Sequence, residues 1–432
     1  MPFHSSPARP PDRVFQLLLV WTTVLMTGLL GFIWRYGPNM PVYDEWPLLS
    51  PLVGEAAVWQ WLWAPHSEHL YPLPRLVWYV LHRVSGYDFR TGMVASVLLA
   101  GGSAVFLLAV AARLRGRSHP ADALVPSLLL HLGHWENWLL GYQVAFTLPL
   151  FLAAALVWLL TARPVTTVRL VAAGMGCLAL GLCGGGGVLL SLPFAVAVAA
   201  VAVSRRSVGA VGAAAAVGYA VWYMAVRPPC PDPPPPTGMG AKLVTLAELS
   251  AGAAGFPGRD FWPWSCMAVG LAVAALARLV FIRCRAGERA RLVWLGCGLT
   301  GAAGIAAAIA VSRTGMFPQM GLSSRYALFT GFGLSCLYVA ARPVSGRVAG
   351  PAVAVLLVGS SIPEGLDYGH YFRHAYVDMR TRIRAGAGVE ELTAVFVTRV
   401  YAGTDTPHHR DAMRGGFEVM ARHRIGPYRP AR

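Results

Sequence analysis

Lysine is almost absent from this chain: Lys242 is the only one, and arginine supplies the rest of the 36 basic residues. Charge of either sign is scarce, at 13% of residues, and 20 acidic side chains leave a formal net charge of +16. A nucleic-acid-binding protein gathers such a surplus on one face, whereas here the arginines stand in short clusters between apolar runs. That arrangement excludes nucleic acid as a partner and reads as charge that orients a chain in a bilayer. No small-residue cleavage site follows the first apolar run, so it reads as a retained anchor and not a cleaved signal. The glycine run Gly184 to Gly187 follows no strand and makes a poor phosphate loop; the Glu-x-x-His pattern of hydrolytic zinc sites is missing altogether. Ionisable residues are also missing from the apolar runs, His131 and Arg278 apart, which argues against a proton-coupled transporter.

Apolar residues, by contrast, make up 56% of the chain, and the mean hydropathy is +0.52. This composition predicts an all-α polytopic membrane protein. At roughly 17 to 25 apolar residues per span, candidates are Val14 to Trp34, Thr91 to Leu114, a short run from Leu124 to Trp135, and Leu139 to Leu160. Leu170 to Val203 is too long for one crossing and breaks at the glycine run, giving two. Val208 to Val226, Phe261 to Ile282, Leu292 to Val311, Tyr326 to Ala341 and Val348 to Ile362 bring the total to about eleven. Leu73 to Val84 is left out, because Leu73, Leu76, Val77, Val80, Leu81 and Val84 recur at helical spacing opposite Arg75, Tyr79, His82 and Arg83. That pattern predicts a juxtamembrane helix lying on the bilayer.

The arginines decide the parity. With eleven spans and a cytoplasmic N-terminus, Arg9 and Arg13, Arg113 with Arg115 and Arg117, Arg163 and Arg169, Arg205 and Arg206, Arg283 to Arg291, and Arg342 with Arg347 all fall inside. Residues 1–362 then form the membrane domain, with external loops at 35–90 and 227–260, and 363–432 form a small external helical tail. The polar chemistry gathers on the outer side: Asp44 and Glu45 in the first loop, His66, Glu68 and His69 further along it, Arg75 at the start of the juxtamembrane helix, Glu136, Asn137 and Gln143 between two spans, and Arg325 with Tyr326. His66 and His69, three apart, could share one helical face with Glu68 turned away. Such spacing suits no self-contained metal site, although a divalent cation stays open. Cys230 and Cys266 flank the second external loop and could pair in an oxidising compartment.

One N-terminal span, a loop opening on Asp44-Glu45, the tryptophans 59, 61 and 63, a His-x-x-His stretch and a Pro-x-Pro-Arg run into a juxtamembrane helix occur in an order that resembles the GT-C superfamily of polytopic glycosyltransferases. The short third span, the Glu136 patch, the glycine-broken fifth and sixth spans and Ser324-Arg325-Tyr326 continue the likeness. The resemblance implies a GT-C-like fold in a bacterial inner membrane and transfer of a sugar from a polyprenyl-phosphate-linked donor to an external glycan, lipid or protein acceptor. Inverting transfer needs a carboxylate to take the acceptor's proton and a cation to hold the departing lipid phosphate. Asp44 or its neighbour Glu45 suits the first task, with Glu136 at the family's second acidic position, and Arg325 suits the other. His66, Glu68, His69, Arg75, Asn137, Gln143 and Tyr326 are then expected to bind substrate. The rival reading is a flippase or transporter for lipids or lipid-linked sugars.

Overall fold

A computed structural model describes residues 12–66, 68–162, 164–205, 207–229, 234–255, 259–341, 349–401 and 405–429, the side chains of residues 290 and 291 excepted. Arg9, Arg163, Arg206, Arg342, Arg347 and Cys230 lie outside the described residues, and so does the side chain of Arg291.

The first apolar run forms helix α1 (Arg13–Tyr36), started by the Asp12 carboxylate accepting from Phe15 N at 2.7 Å. Three short helices follow in the first loop: α2 (Leu49–Val53), α3 (Val58–Trp63) and α4 (Pro72–Val84). The chain crosses again in α5 (Arg90–Arg115) and returns through α6 (Leu124–Leu129), a 3-10 turn and α7 (Trp135–Leu139). Then come α8 (Val144–Thr161), α9 (Thr167–Gly181), α10 (Gly184–Ser204), α11 (Gly209–Val226) and α12 (Met239–Gly252). The last membrane helices are α13 (Trp262–Arg283), α14 (Arg289–Arg313), α15 (Ser324–Ala341) and α16 (Ala349–Ser360). A tail of α17 (Ile362–Arg384), α18 (Val389–Val400) and α19 (Pro407–His423) closes the chain.

Among the described residues, eight helices are long and apolar enough to span a bilayer, the last being α16 and α17 taken together as Ala349–Arg384, fewer than the eleven expected. The difference has three sources. The run from Leu124 to Trp135 is α-helical for only six residues; α9 is 15 residues long; α15 opens on polar Ser324-Arg325-Tyr326. The Leu124 to Trp135 segment nevertheless runs along most of α15. Glu136 is bonded to Ser324 at one end of α15, and Asp122 to Tyr338 near the other, about 20 Å apart at 1.5 Å per residue. The glycine run breaks the fifth and sixth spans as expected, because Gly184 takes a left-handed turn at φ +84°.

Burial reports the environment of these helices. No residue of α13 is buried, an arrangement that suits a lipid-facing helix, where apolar side chains need no protein cover. In α4 the apolar stripe faces outward, with Leu76, Val80 and Val84 exposed, while Arg75, Trp78 and His82 are buried. Arg113, Arg115, Arg205 and Arg283 lie together at one end of the bundle. Arg113 donates to Trp158 O, Arg205 to Val165 O and Arg283 to Ala340 O, while Arg115 pairs with Asp122. The polar residues of the first loop, α7 and the start of α15 meet at the other end.

Candidate active site

At that other end the elements enclose a cavity of about 1340 Å³. Asp44, His66, Glu68, His69, Glu136, Gln143, Arg325 and Tyr326 all line it. Its deeper wall is apolar, with Val188, Leu189 and Leu192 from α10, Ile305 and Ile309 from α14, and Phe329 from α15.

Asp44 and Glu45 are parted by local backbone geometry. Residues Tyr43–Leu48 form a 3-10 turn that starts with Tyr43 at φ +50°, a strained value for a tyrosine. Adjacent side chains therefore point apart. Asp44 is exposed, lines the cavity and has no hydrogen bond or ion pair among the described residues. Its charge reaches His66 and Arg325. Glu45 is fully buried, away from the cavity, and accepts from Val42 N at 3.0 Å and Trp78 Nε1 at 3.2 Å. Burial pushes it up to about 8 against the pull of those donors. A Cβ on Gly141 would lie 2.9 Å from the Phe89 carbonyl oxygen and 2.7 Å from Glu45 Oε1, so glycine lets the two loops meet without displacing backbone. Glu45 thus braces the strained turn that presents Asp44.

Glu136 is saturated by protein donors. Its Oε2 accepts from Ser323 Oγ (3.0 Å), Ser324 Oγ (2.7 Å) and Arg325 N (2.9 Å), and Oε1 pairs with the Arg325 guanidinium at 3.1 Å. Burial would raise its pKa, but Arg325 and the Ser324 hydroxyl hold it below the usual range. Arg325 is thereby fixed beside the Tyr43 ring, 5.7 Å from its centroid. Asn137 is buried outside the cavity wall and donates to Ser324 O at 3.2 Å, bracing the same helix start.

His66 and His69 do not share a helical face. Their backbones pair as an antiparallel bridge, His66 N to His69 O at 2.8 Å and His69 N to His66 O at 3.0 Å. Glu68 consequently turns inward, pairing with Arg313 and with His69 Nε2 at 3.2 Å. His69 Nδ1 takes the Tyr223 hydroxyl at 3.0 Å. Burial, with Arg227 nearby, pushes His69 down to about 4; burial also lowers His66 against the charge of Asp44. The neutral His69 ring therefore donates from Nε2 to Glu68 and accepts from Tyr223 at Nδ1. Arg75 stands apart from the cavity. It is buried, donates to Trp61 O and Ala64 O at 2.5 Å each, and ties the end of α3 to α4.

Several residues of the cavity wall carried no sequence signal. Arg227 follows α11, Arg259 and Asp260 precede α13, Arg313 ends α14, and Glu364, Tyr368, Tyr401 and His409 come from the tail. The segment expected as a small tail therefore forms part of the cavity wall. Tyr401 stacks on His409 at 4.0 Å and meets Tyr43 at 6.4 Å. Among the described residues, no three His, Cys, Asp or Glu side chains stand together as ligands for a metal ion. Glu68 and Glu136 are each paired with an arginine.

These features define a multi-pass helical membrane protein with a charged cavity at the end of the bundle remote from Arg113, Arg115, Arg205 and Arg283. Its structure is similar to the crystal structure of ArnT from Cupriavidus metallidurans in the apo state, with a TM-score of 0.48 and 16% identity over 96% of this chain and 78% of that one. No family model and no curated protein matches the sequence.

Proposed function

We propose that the chain is a GT-C-type membrane glycosyltransferase, moving a sugar from a polyprenyl-phosphate-linked donor to an acceptor hydroxyl on the external face of a bacterial inner membrane. One observation carries the reading: a carboxylate without a partner among the described residues, Asp44, shares a cavity with a rigidly held guanidinium, Arg325, above an apolar wall. Asp44 takes the acceptor's proton as its oxygen attacks the anomeric carbon. The phosphate leaves from the opposite side of the sugar with inversion, its charge met by Arg325. Glu136 fixes Arg325 in place and is no second base, since its lone pairs are already engaged. The apolar wall suits the lipid's isoprenoid carbons.

The test is binding of decaprenyl phosphate to purified, lipid-reconstituted protein. Arg325→Ala should weaken it by more than tenfold, and Arg325→Lys should recover only part, because an ammonium lacks the bidentate fork. Full recovery by lysine would identify Arg325 as an interfacial anchor.

A further inference from the structure

We propose that α17 and the Arg259-Asp260 segment form the acceptor subsite of this cavity and that the acceptor is a carbohydrate; the inference rests on the glycosyltransferase reading. Tyr368 lies flat on Trp135, with ring centroids 3.6 Å apart and planes 11° from parallel. One face of the tyrosine is thus covered by protein, yet the residue is 38% exposed and lines the cavity. It presents the other face as a platform. Glu364 stands one turn earlier on the same side of α17. Its Oε1 pairs with Arg259, while its Oε2 is buried and has no partner among the described residues. Arg259 Nε is likewise buried without an acceptor. Asp260, next in the chain, is exposed and lines the same wall.

An aromatic face carries partial negative charge that attracts the polarised C–H bonds on one face of a sugar ring. A carboxylate oxygen lacking a donor and a guanidinium nitrogen lacking an acceptor beside that face match the hydroxyls around the ring's edge. A fatty alcohol would leave both polar atoms unsatisfied. An extended peptide would need backbone partners from a strand edge, and this wall is helical. The platform is also next to the reaction centre. Phe372, one turn beyond Tyr368, meets Trp135 at 6.0 Å and Tyr43, the neighbour of Asp44, at 6.5 Å.

The experiment is saturation-transfer NMR on the full chain in lipid nanodiscs, with maltotriose, mannotriose and arabinotriose, and with the peptide Gly-Ser-Thr-Gly as control. Decaprenyl phosphate binding is followed in parallel by tryptophan fluorescence. Wild type should bind at least one trisaccharide through ring C–H protons and should not bind the peptide. Tyr368→Ala and Glu364→Gln should each weaken that binding about 3- to 10-fold, while Tyr368→Phe keeps it. Every variant should keep the wild type's far-ultraviolet circular dichroism and melting behaviour, which reports an intact fold. The inference is overturned if the peptide alone binds, if Tyr368→Ala binds the sugar unchanged, or if no trisaccharide binds while decaprenyl phosphate does. Absence of decaprenyl phosphate binding in the wild type would remove the glycosyltransferase reading as well.

Discussion

Replacing Glu136 and Arg325 by glutamine, singly and together, should show that the two side chains behave as one unit. Glutamine at 136 can keep one oxygen where Ser323, Ser324 and the Arg325 amide converge, but it then turns an NH2 group toward the guanidinium. The pair is largely enclosed, at 23% and 6% side-chain exposure, so solvent does little to screen the loss. Breaking one side of such a pair costs about 3 to 5 kcal/mol, because the remaining charge stays buried and unpaired. The double variant carries no stranded charge. Its destabilisation should fall short of the sum of the two singles by about 2 kcal/mol. Unfolding in mixed micelles with graded dodecyl sulfate, followed by circular dichroism, gives the three values. Additivity within about 0.5 kcal/mol would refute the claim that Glu136 exists to hold Arg325.

Two further outcomes follow from the surroundings of the cavity. Arg75→Met should strand the carbonyls of Trp61 and Ala64 and cost about 2 to 4 kcal/mol, read as faster proteolysis of the chain between α3 and α4; unchanged protection would mean that the guanidinium is dispensable. His69 has a folded pKa near 4 against 6.5 unfolded, so its contribution is full above about 6.5 and is lost as pH falls toward 4, amounting to about 3 kcal/mol. His69→Leu should flatten that part of the acid unfolding curve, and an unaltered slope would contradict the buried neutral ring.

Asp44, His66, Glu136 and Arg325 were legible in the sequence because scarce charge between long apolar runs has few places to go. Their roles were less so. Asp44 and Glu45 are chemically alike neighbours, and only a 3-10 turn with Tyr43 at positive φ sends one into the cavity and the other into the core. The His66 to His69 spacing fits a helix, but the backbone closes a bridge instead, and Glu68 turns inward with it. Arg75 and Asn137 looked like ligand contacts because buried hydrogen bonding to backbone carbonyls leaves no trace in residue order. The span count ran high because the Leu124 to Trp135 segment is α-helical for only six residues, α9 is 15 residues long and α15 opens on polar residues. Glu364, Tyr368, Tyr401 and His409 were invisible for a different reason: polar and aromatic residues in amphipathic tail helices read as a solvated face until tertiary packing folds them over the first loop.

The most direct measurement of the central claim is transfer by purified, reconstituted protein supplied with decaprenyl-phosphate-linked mannose, glucose or arabinose and an external membrane extract as acceptor. Wild type should transfer one of these sugars, and Asp44→Asn should transfer it about 100- to 10,000-fold more slowly while binding decaprenyl phosphate normally, since only the proton acceptor has gone. Wild-type turnover in Asp44→Asn would contradict the assignment of the base. Movement of the lipid-linked sugar across the bilayer by wild type without any transfer would contradict the enzyme itself.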